Sequence, residues 1–158
     1  MKAFKNWKEF QQRLNLILHG IVAITMLPFL WLFLEIDANG REALVEDQFF
    51  TVLFLVICAG VMICASYYRK IQNQSASRLT ELNAKMEAYF RVQVVTFLIL
   101  EGAAIMATLA FYFTASYLFV LAYFFILFLF SVARPTLDRV SRNLMLSKDE
   151  ITQLKDQH

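Results

Sequence analysis

The stretch VQVVTFLILEGAAIMATLAFYF, residues 92–113, decides the fold class of this chain, and Glu101 is the one charged residue in it. A helix rises about 1.5 Å per residue, so roughly 20 apolar residues cross a hydrocarbon core of ~30 Å. Glu101 follows Arg91 by ten residues, or about 15 Å of helix, which places it near the centre of such a core. A carboxyl group at that depth is costly, so it requires a structural or functional reason.

Three other apolar stretches have similar lengths, at residues 14–34, 49–68 and 117–133. None shows the polar face of a helix on a soluble protein. The chain is 59% hydrophobic and 18% charged, whereas a soluble domain carries about 25% charged residues. We therefore predict an all-α membrane protein built as a four-helix transmembrane bundle. Residues 1–133 form the predicted four-span domain, and residues 134–158 form a cytoplasmic amphipathic tail.

The basic residues predict the orientation of these spans. Of the 15 Lys and Arg residues, Arg41 alone lies between the first and second spans. The other basic residues precede the first span, separate the second from the third, or follow the fourth. Because cytoplasmic loops carry an excess of Lys and Arg, both termini are expected inside and the acidic loop Glu35–Gln48 outside. The first apolar run is too long for a signal peptide and is expected to stay in the protein.

Short amphipathic helices are predicted at the cytoplasmic side. Phe4, Trp7 and Phe10 recur at three-residue spacing between basic residues, which fits either an interfacial helix or the start of the first span. The segment 69–91 is predicted to be mostly helical, with Ser75 or Ser77 capping a helix that runs into the third span.

The tail carries its own signals. Pro135 ends the fourth span or restarts the helix after it. Ser147 and Glu150 have the spacing of a capping box, which predicts a last helix over Lys148–Asp156. We expect this tail to dock on the cytoplasmic helix ends or on a partner.

Two surfaces of the spans suggest how they pack. The third span has small residues that permit close helix approach, namely Gly102, Ala103, Ala107 and Ala110. Ala59, Gly60 and Ala65 of the second span are expected to face them. The aromatic residues of the fourth span are expected to face lipid or another subunit: Phe119, Tyr123, Phe124, Phe125, Phe128 and Phe130.

Polar side chains within the spans form the candidate intramembrane polar site, which comprises Glu101, His19, Thr108, Gln93 and Thr25. His19 and Gln93 lie at a similar depth on the cytoplasmic side and would open a vestibule toward Glu101. Glu101 is expected to be neutral, with Thr25, the Ile24 carbonyl, Cys58 or Tyr123 as hydrogen-bond partners. Three roles are open for Glu101: it fixes helix packing, it carries a proton or cation, or it binds a lipid or small molecule.

The sequence shows no motif for a disulfide framework or a zinc site. Cys58 and Cys64 are six residues apart and do not share a helix face, and two His residues without matching spacing predict no zinc site. We expect no catalytic residues, metal or cofactor, and no nucleic-acid partner, since the basic residues follow from membrane topology and anionic lipid.

An enzyme is the less favoured class. The favoured function is a structural or accessory subunit of a membrane assembly, with membrane lipids and a second copy or other subunit as partners. The alternatives are a proton- or ion-handling protein that uses Glu101, and a binding protein for a lipid or other apolar small molecule.

Three short motifs carry a resemblance to known proteins: Leu100-Glu101-Gly102-Ala103-Ala104, Arg134-Pro135-Thr136 and Leu144-Met145-Leu146-Ser147. In these the chain resembles the small uncharacterised four-span membrane proteins of bacteria. The resemblance implies a multi-pass protein of the bacterial inner membrane and no particular activity. The proteolipid subunits of rotary ATPases also place a Glu in a membrane helix, but their helices are glycine-rich and this chain has 4 Gly.

Overall fold

The computed structural model describes residues 7–40, 43–45 and 48–156, and within these ranges it contains helices and no strands. The helices are α1 (Trp7–Asn39), α2 (Gln48–Ser77), α3 (Leu82–Thr114), α4 (Tyr117–Ala133), α5 (Leu137–Asn143) and α6 (Lys148–Asp156). The helices α1, α2 and α3 are each long and apolar enough to cross a membrane. The pair α4 and α5, bent by 79° at their junction, makes a fourth if it is counted as one span. The predicted all-helical membrane class is therefore supported.

The central helix is α3, which packs against α1, α2 and α4. Its alanines explain how three neighbours reach it, because small side chains let helix backbones come close. Ala103, Ala104, Ala107 and Ala110 are all fully buried. Half of the most apolar window of α3 is buried, against 28% for α1 and 11% for α2.

One continuous stripe attaches α1 to the other helices. Its members recur every three or four residues, as on one face of a helix: Phe10, Leu14, Leu18, Ile21, Thr25, Phe29, Leu32 and Ile36. The helix is unbroken from Trp7, and Trp7 stacks on Phe10 with ring centroids 5.3 Å apart. Of the two interpretations of the N-terminal segment, the start of the first long helix is the one that the described residues show. Phe4 lies outside the described residues.

The contact between α2 and α3 differs in part from the expected one. Cys58 and Ala65 are buried, and the Cys58 thiol donates to the Ala103 carbonyl at 3.9 Å. Ala59 and Gly60, which were expected to face α3, are exposed. Gly102 is half-buried, and a β-carbon built on it meets nothing within 4 Å. The alanines therefore provide the close approach on α3, and the glycine does not.

The aromatic residues of α4 divide between two faces. Phe119, Tyr123 and Phe130 are buried, whereas Phe124, Phe125 and Phe128 are exposed. The prediction of a single outward aromatic surface is therefore wrong for the first three. Tyr123 stacks on Phe29 of α1 with ring centroids 3.8 Å apart and an interplanar angle of 6°.

The connection from α2 to α3 comprises residues 78–81. Ser75 and Ser77 end α2, where their hydroxyls donate to Ile71 and Gln74 carbonyls, and the residue before α3 is Glu81. The prediction that one of these serines caps α3 is wrong, since serines of a last turn bond backward instead. The expected helical extension of the third span is present, because α3 begins at Leu82, ten residues before the predicted span.

The tail packs against the beginning of α3. The capping box forms as predicted: the Glu150 amide donates to the Ser147 hydroxyl at 3.2 Å, and the Ser147 amide donates to the Glu150 carboxylate at 2.7 Å. Glu150 also accepts from Lys85 of α3 at 2.7 Å. Leu144 and Leu154 are buried, so the tail docks on the helix ends.

Candidate functional site

Glu101 lies inside the helix assembly, where 7% of the residue is exposed. Its carboxyl group lies beside the Thr25 hydroxyl of α1, and neither carboxyl oxygen reaches hydrogen-bond geometry with any described residue. The Tyr123 hydroxyl of α4 donates to the Thr25 hydroxyl at 3.3 Å. Three helices therefore meet at this point, and Glu101, Thr25 and Tyr123 form the Glu101 cluster.

The remaining candidates lie elsewhere. Thr108 is half-buried and lies two turns after Glu101 on α3, and its hydroxyl donates to the Ala104 carbonyl at 2.8 Å. His19 is exposed on α1, where its Nδ1 lies 2.6 Å from the Asn15 carbonyl and its Nε2 lies 3.5 Å from the Arg134 guanidinium. Of the five sequence candidates, the structure thus brings together Glu101 and Thr25.

Gln93 belongs to a different polar group, at the end of the molecule where α2 ends and α3 begins. We call this the basic end, because Arg69, Arg91 and Arg134 lie there. Gln93 is fully buried, and neither side-chain atom of its amide has a partner among the described residues. The Tyr89 hydroxyl, one turn earlier, is also without a partner in hydrogen-bond geometry, although it faces Asn143, Gln93 and Arg69.

A cavity of about 400 Å³ lies beside this group, between α2, α3, α4 and the end of α5. Its polar lining residues are Ser66, Arg69, Lys70, Asn73, Thr96 and Asn143. Asn73 is 7% exposed, and its side-chain oxygen has no partner among the described residues. Among the residues that line the cavity, two are cationic and none is acidic.

The sequence pattern alone does not predict Asn73, Tyr89 or Asn143 as site residues. The residues lie in segments that were assigned to a cytoplasmic loop and tail, where polar side chains are ordinary. A signal was nevertheless present, because Asn73 falls eight residues after Ala65 and three before Ala76, which places all three on one face of a helix. Asn143 could not be found this way, since the bend between α4 and α5 brings it to the cavity.

Within the described ranges no three His, Cys, Asp or Glu residues come close enough to hold a metal ion. Cys58 and Cys64 are both free thiols.

Comparisons with known proteins add no relative. No protein-family model matches the sequence, and no curated protein or solved structure matches the chain. The chemistry of the two polar groups therefore rests on their own geometry.

Proposed function

We propose that this chain is a four-span protein of the bacterial inner membrane with both termini in the cytoplasm. The basic residues support this orientation, since Arg41 is the one Lys or Arg in the loop that joins the first two spans. The helix packing agrees with it. Phe10 of α1 contacts Phe90 of α3, and Arg134 after α4 lies next to His19 of α1, so basic segments that are distant in sequence share one end.

Within that membrane, we propose that the protein is a structural or accessory subunit of a larger assembly. The observation that carries this proposal is the outward face of α2. The most apolar window of α2 has a mean hydropathy of 2.6, the highest such value among the three long helices, and 11% of that window is buried. It meets the rest of the chain almost entirely through α3.

Small residues on that face are left exposed by the described part of the chain. Ala59, Gly60 and Cys64 lie within the predicted second span and are exposed. A β-carbon on Gly60 would meet nothing within 4 Å. Small residues at membrane helix contacts let two backbones approach. Since no helix of the described ranges packs on these residues, the surface suits a helix of a second copy or of another subunit.

Cys64 offers a direct test, because it is an exposed free thiol one turn, or about 6 Å, from Gly60. Mild oxidation of native membranes with copper phenanthroline should produce a reducible adduct. An adduct at twice the 18.4 kDa chain mass indicates a homo-oligomer, and another mass indicates a different subunit. Cys64→Ser should abolish the adduct, whereas Cys58→Ser, at a buried position, should leave it unchanged. A monomer without co-purifying protein in mild detergent, and without any adduct, would refute the accessory role.

A second candidate function is proton or ion handling through Glu101. Its support is specific: both carboxyl oxygens are without a partner in hydrogen-bond geometry, next to two hydroxyl groups on neighbouring helices. Proteoliposomes that contain a pH-sensitive dye would test it. If Glu101 carries protons, the wild-type protein should dissipate an imposed pH gradient and Glu101→Gln should not. Equal, background leakage from both would remove this candidate.

A further inference from the structure

The cavity at the basic end has the lining of an amphiphile site. Its polar side has Arg69 and Lys70, followed by Asn73 one turn later on α2. Its apolar side is formed by Leu100, Leu129 and Val132, which belong to the predicted spans. Arg69 directly follows the predicted second span, so the cationic part of the lining begins at the predicted membrane surface. At about 400 Å³ the cavity is within the size range of ligand sites, roughly 300–1,000 Å³.

The charge of the lining selects an anion. Arg binds phosphate oxygens through paired N–H donors, and Lys adds a point charge. The three ion pairs found among the described residues use other cations, namely Arg13, Lys85 and Arg91. Basic pockets between transmembrane helices at the cytoplasmic surface are suited to anionic lipid headgroups.

Asn73 supplies the second, independent observation. It is more than nine-tenths buried, it lines the cavity, and its side-chain oxygen lacks a hydrogen-bond donor. A buried acceptor without a donor destabilises the structure, so a ligand that supplies a donor is favoured at this point. Arg69 and Lys70 bear the positive charge that an anion would meet. A headgroup hydroxyl would satisfy the oxygen while a phosphodiester meets the two cations.

We propose that this cavity binds one anionic glycerophospholipid whose headgroup bears a hydroxyl, of which phosphatidylglycerol is the simplest. The phosphodiester lies between Arg69 and Lys70, and a headgroup hydroxyl donates to Asn73. The first part of an acyl chain runs along Leu129 and Val132 toward Leu100. Two other cavities among the described residues suit this ligand less. One of about 500 Å³ pairs its Arg91 with Glu87 at 2.7 Å, and one of about 230 Å³ places its Arg134 against His19.

Native mass spectrometry from detergent micelles, with dioleoylphosphatidylglycerol as the probe, tests the proposal. One lipid should be retained with at least tenfold higher affinity than dioleoylphosphatidylcholine. The double variant Arg69→Gln, Lys70→Gln should reduce that preference to within twofold. The matched control Arg78→Gln, Lys148→Gln removes the same charge at exposed positions of the same end and should keep the preference.

Dioleoylphosphatidylethanol has the same charge and no headgroup hydroxyl, so it isolates the role of Asn73. Wild-type protein should prefer phosphatidylglycerol to it several-fold, and Asn73→Leu should remove that preference while retaining the thermal stability of the lipid-free protein. Equal loss in the control double variant would overturn the proposal in favour of diffuse surface charge. Displacement of the lipid by millimolar inorganic phosphate would overturn it in favour of a soluble anion.

Discussion

The side chains around Glu101 do not depend on its carboxyl group for a hydrogen bond. The Thr25 hydroxyl already accepts from Tyr123 at 3.3 Å, and as a helix threonine it can donate to a carbonyl of the preceding turn. The carboxyl oxygens themselves have no partner in hydrogen-bond geometry. We therefore predict that Glu101→Gln and Glu101→Leu each change the free energy of unfolding by less than about 1 kcal/mol. Unfolding in mixed micelles with increasing dodecyl sulfate gives that free energy.

Thr25→Val is the matched control for this prediction, because it keeps the side-chain shape and removes the acceptor of Tyr123. It should cost about 1 kcal/mol or more. If Glu101→Leu instead costs more than Thr25→Val, the carboxyl group makes a contact that fixes the packing. The infrared C=O band of a protonated carboxyl group, present in the wild type at pH 7 and absent in Glu101→Gln, would show that Glu101 is neutral. Its absence from the wild type would favour ion handling.

At the scale of a helix, the glycines differ in what they do. Gly102 lies within α3 with open space around its α-carbon, so Gly102→Ala should stabilise by about 0.5–1 kcal/mol through lower backbone entropy in the unfolded chain. Gly40, just after α1, has φ of +58°, a conformation that residues with a β-carbon rarely adopt. Gly40→Ala should destabilise by about 1 kcal/mol. Melting temperatures in one detergent compare the two, and a loss of stability in Gly102→Ala would mean that α3 is packed more tightly there.

The docking of α6 should depend on pH. Burial alone raises the pKa of Glu150, but hydrogen bonds from Lys85 and Ser147 outweigh it and leave the pKa below its usual 4.5. A lowered pKa means that the contact stabilises the fold above the ordinary value and is lost as pH falls through the folded value. Amide exchange in α6 should therefore accelerate below about pH 4.5 relative to α3. Lys85→Met should already show faster exchange at pH 7 and a weaker pH dependence. An α6 that exchanges equally at both pH values would contradict this.

For the molecule as a whole, the proposed orientation in the membrane can be tested with a reagent that does not cross the membrane. In a variant without Cys58 and Cys64, a cysteine introduced at Asn39 should react with an impermeant maleimide in intact cells. One introduced at Gln74, at the end of α2, should react only after the membrane is permeabilised. A cysteine introduced at Gln157 should likewise react only after permeabilisation, which would place the C-terminus in the cytoplasm. The reverse pattern would overturn the orientation, and reaction at both sites in intact cells would overturn the spans.

Several elements can be predicted from residues that are close together in the sequence. The bounds of α4 and α6 coincide with the predicted 117–133 and Lys148–Asp156, and the capping box forms between the two residues named for it. These features depend on apolar length, on Pro135 and on a side chain three residues from its partner, all of which are local. The helical character of the long segments is fixed in the same way, because an apolar run of that length must satisfy its backbone groups internally in lipid.

The helical class, the number of apolar segments and the asymmetry of charge thus follow from the order of residues alone. The tertiary structure decided that α3 is central, that Tyr123 faces Thr25, and that Asn73 and Asn143 share a cavity with Arg69. The physical reason is that a membrane helix is apolar on its lipid face as well as its packed face, so hydrophobic periodicity does not mark the inside. Which faces meet is settled by the fit of side chains such as Ala103 and Phe29 across helices, and that fit exists only in three dimensions.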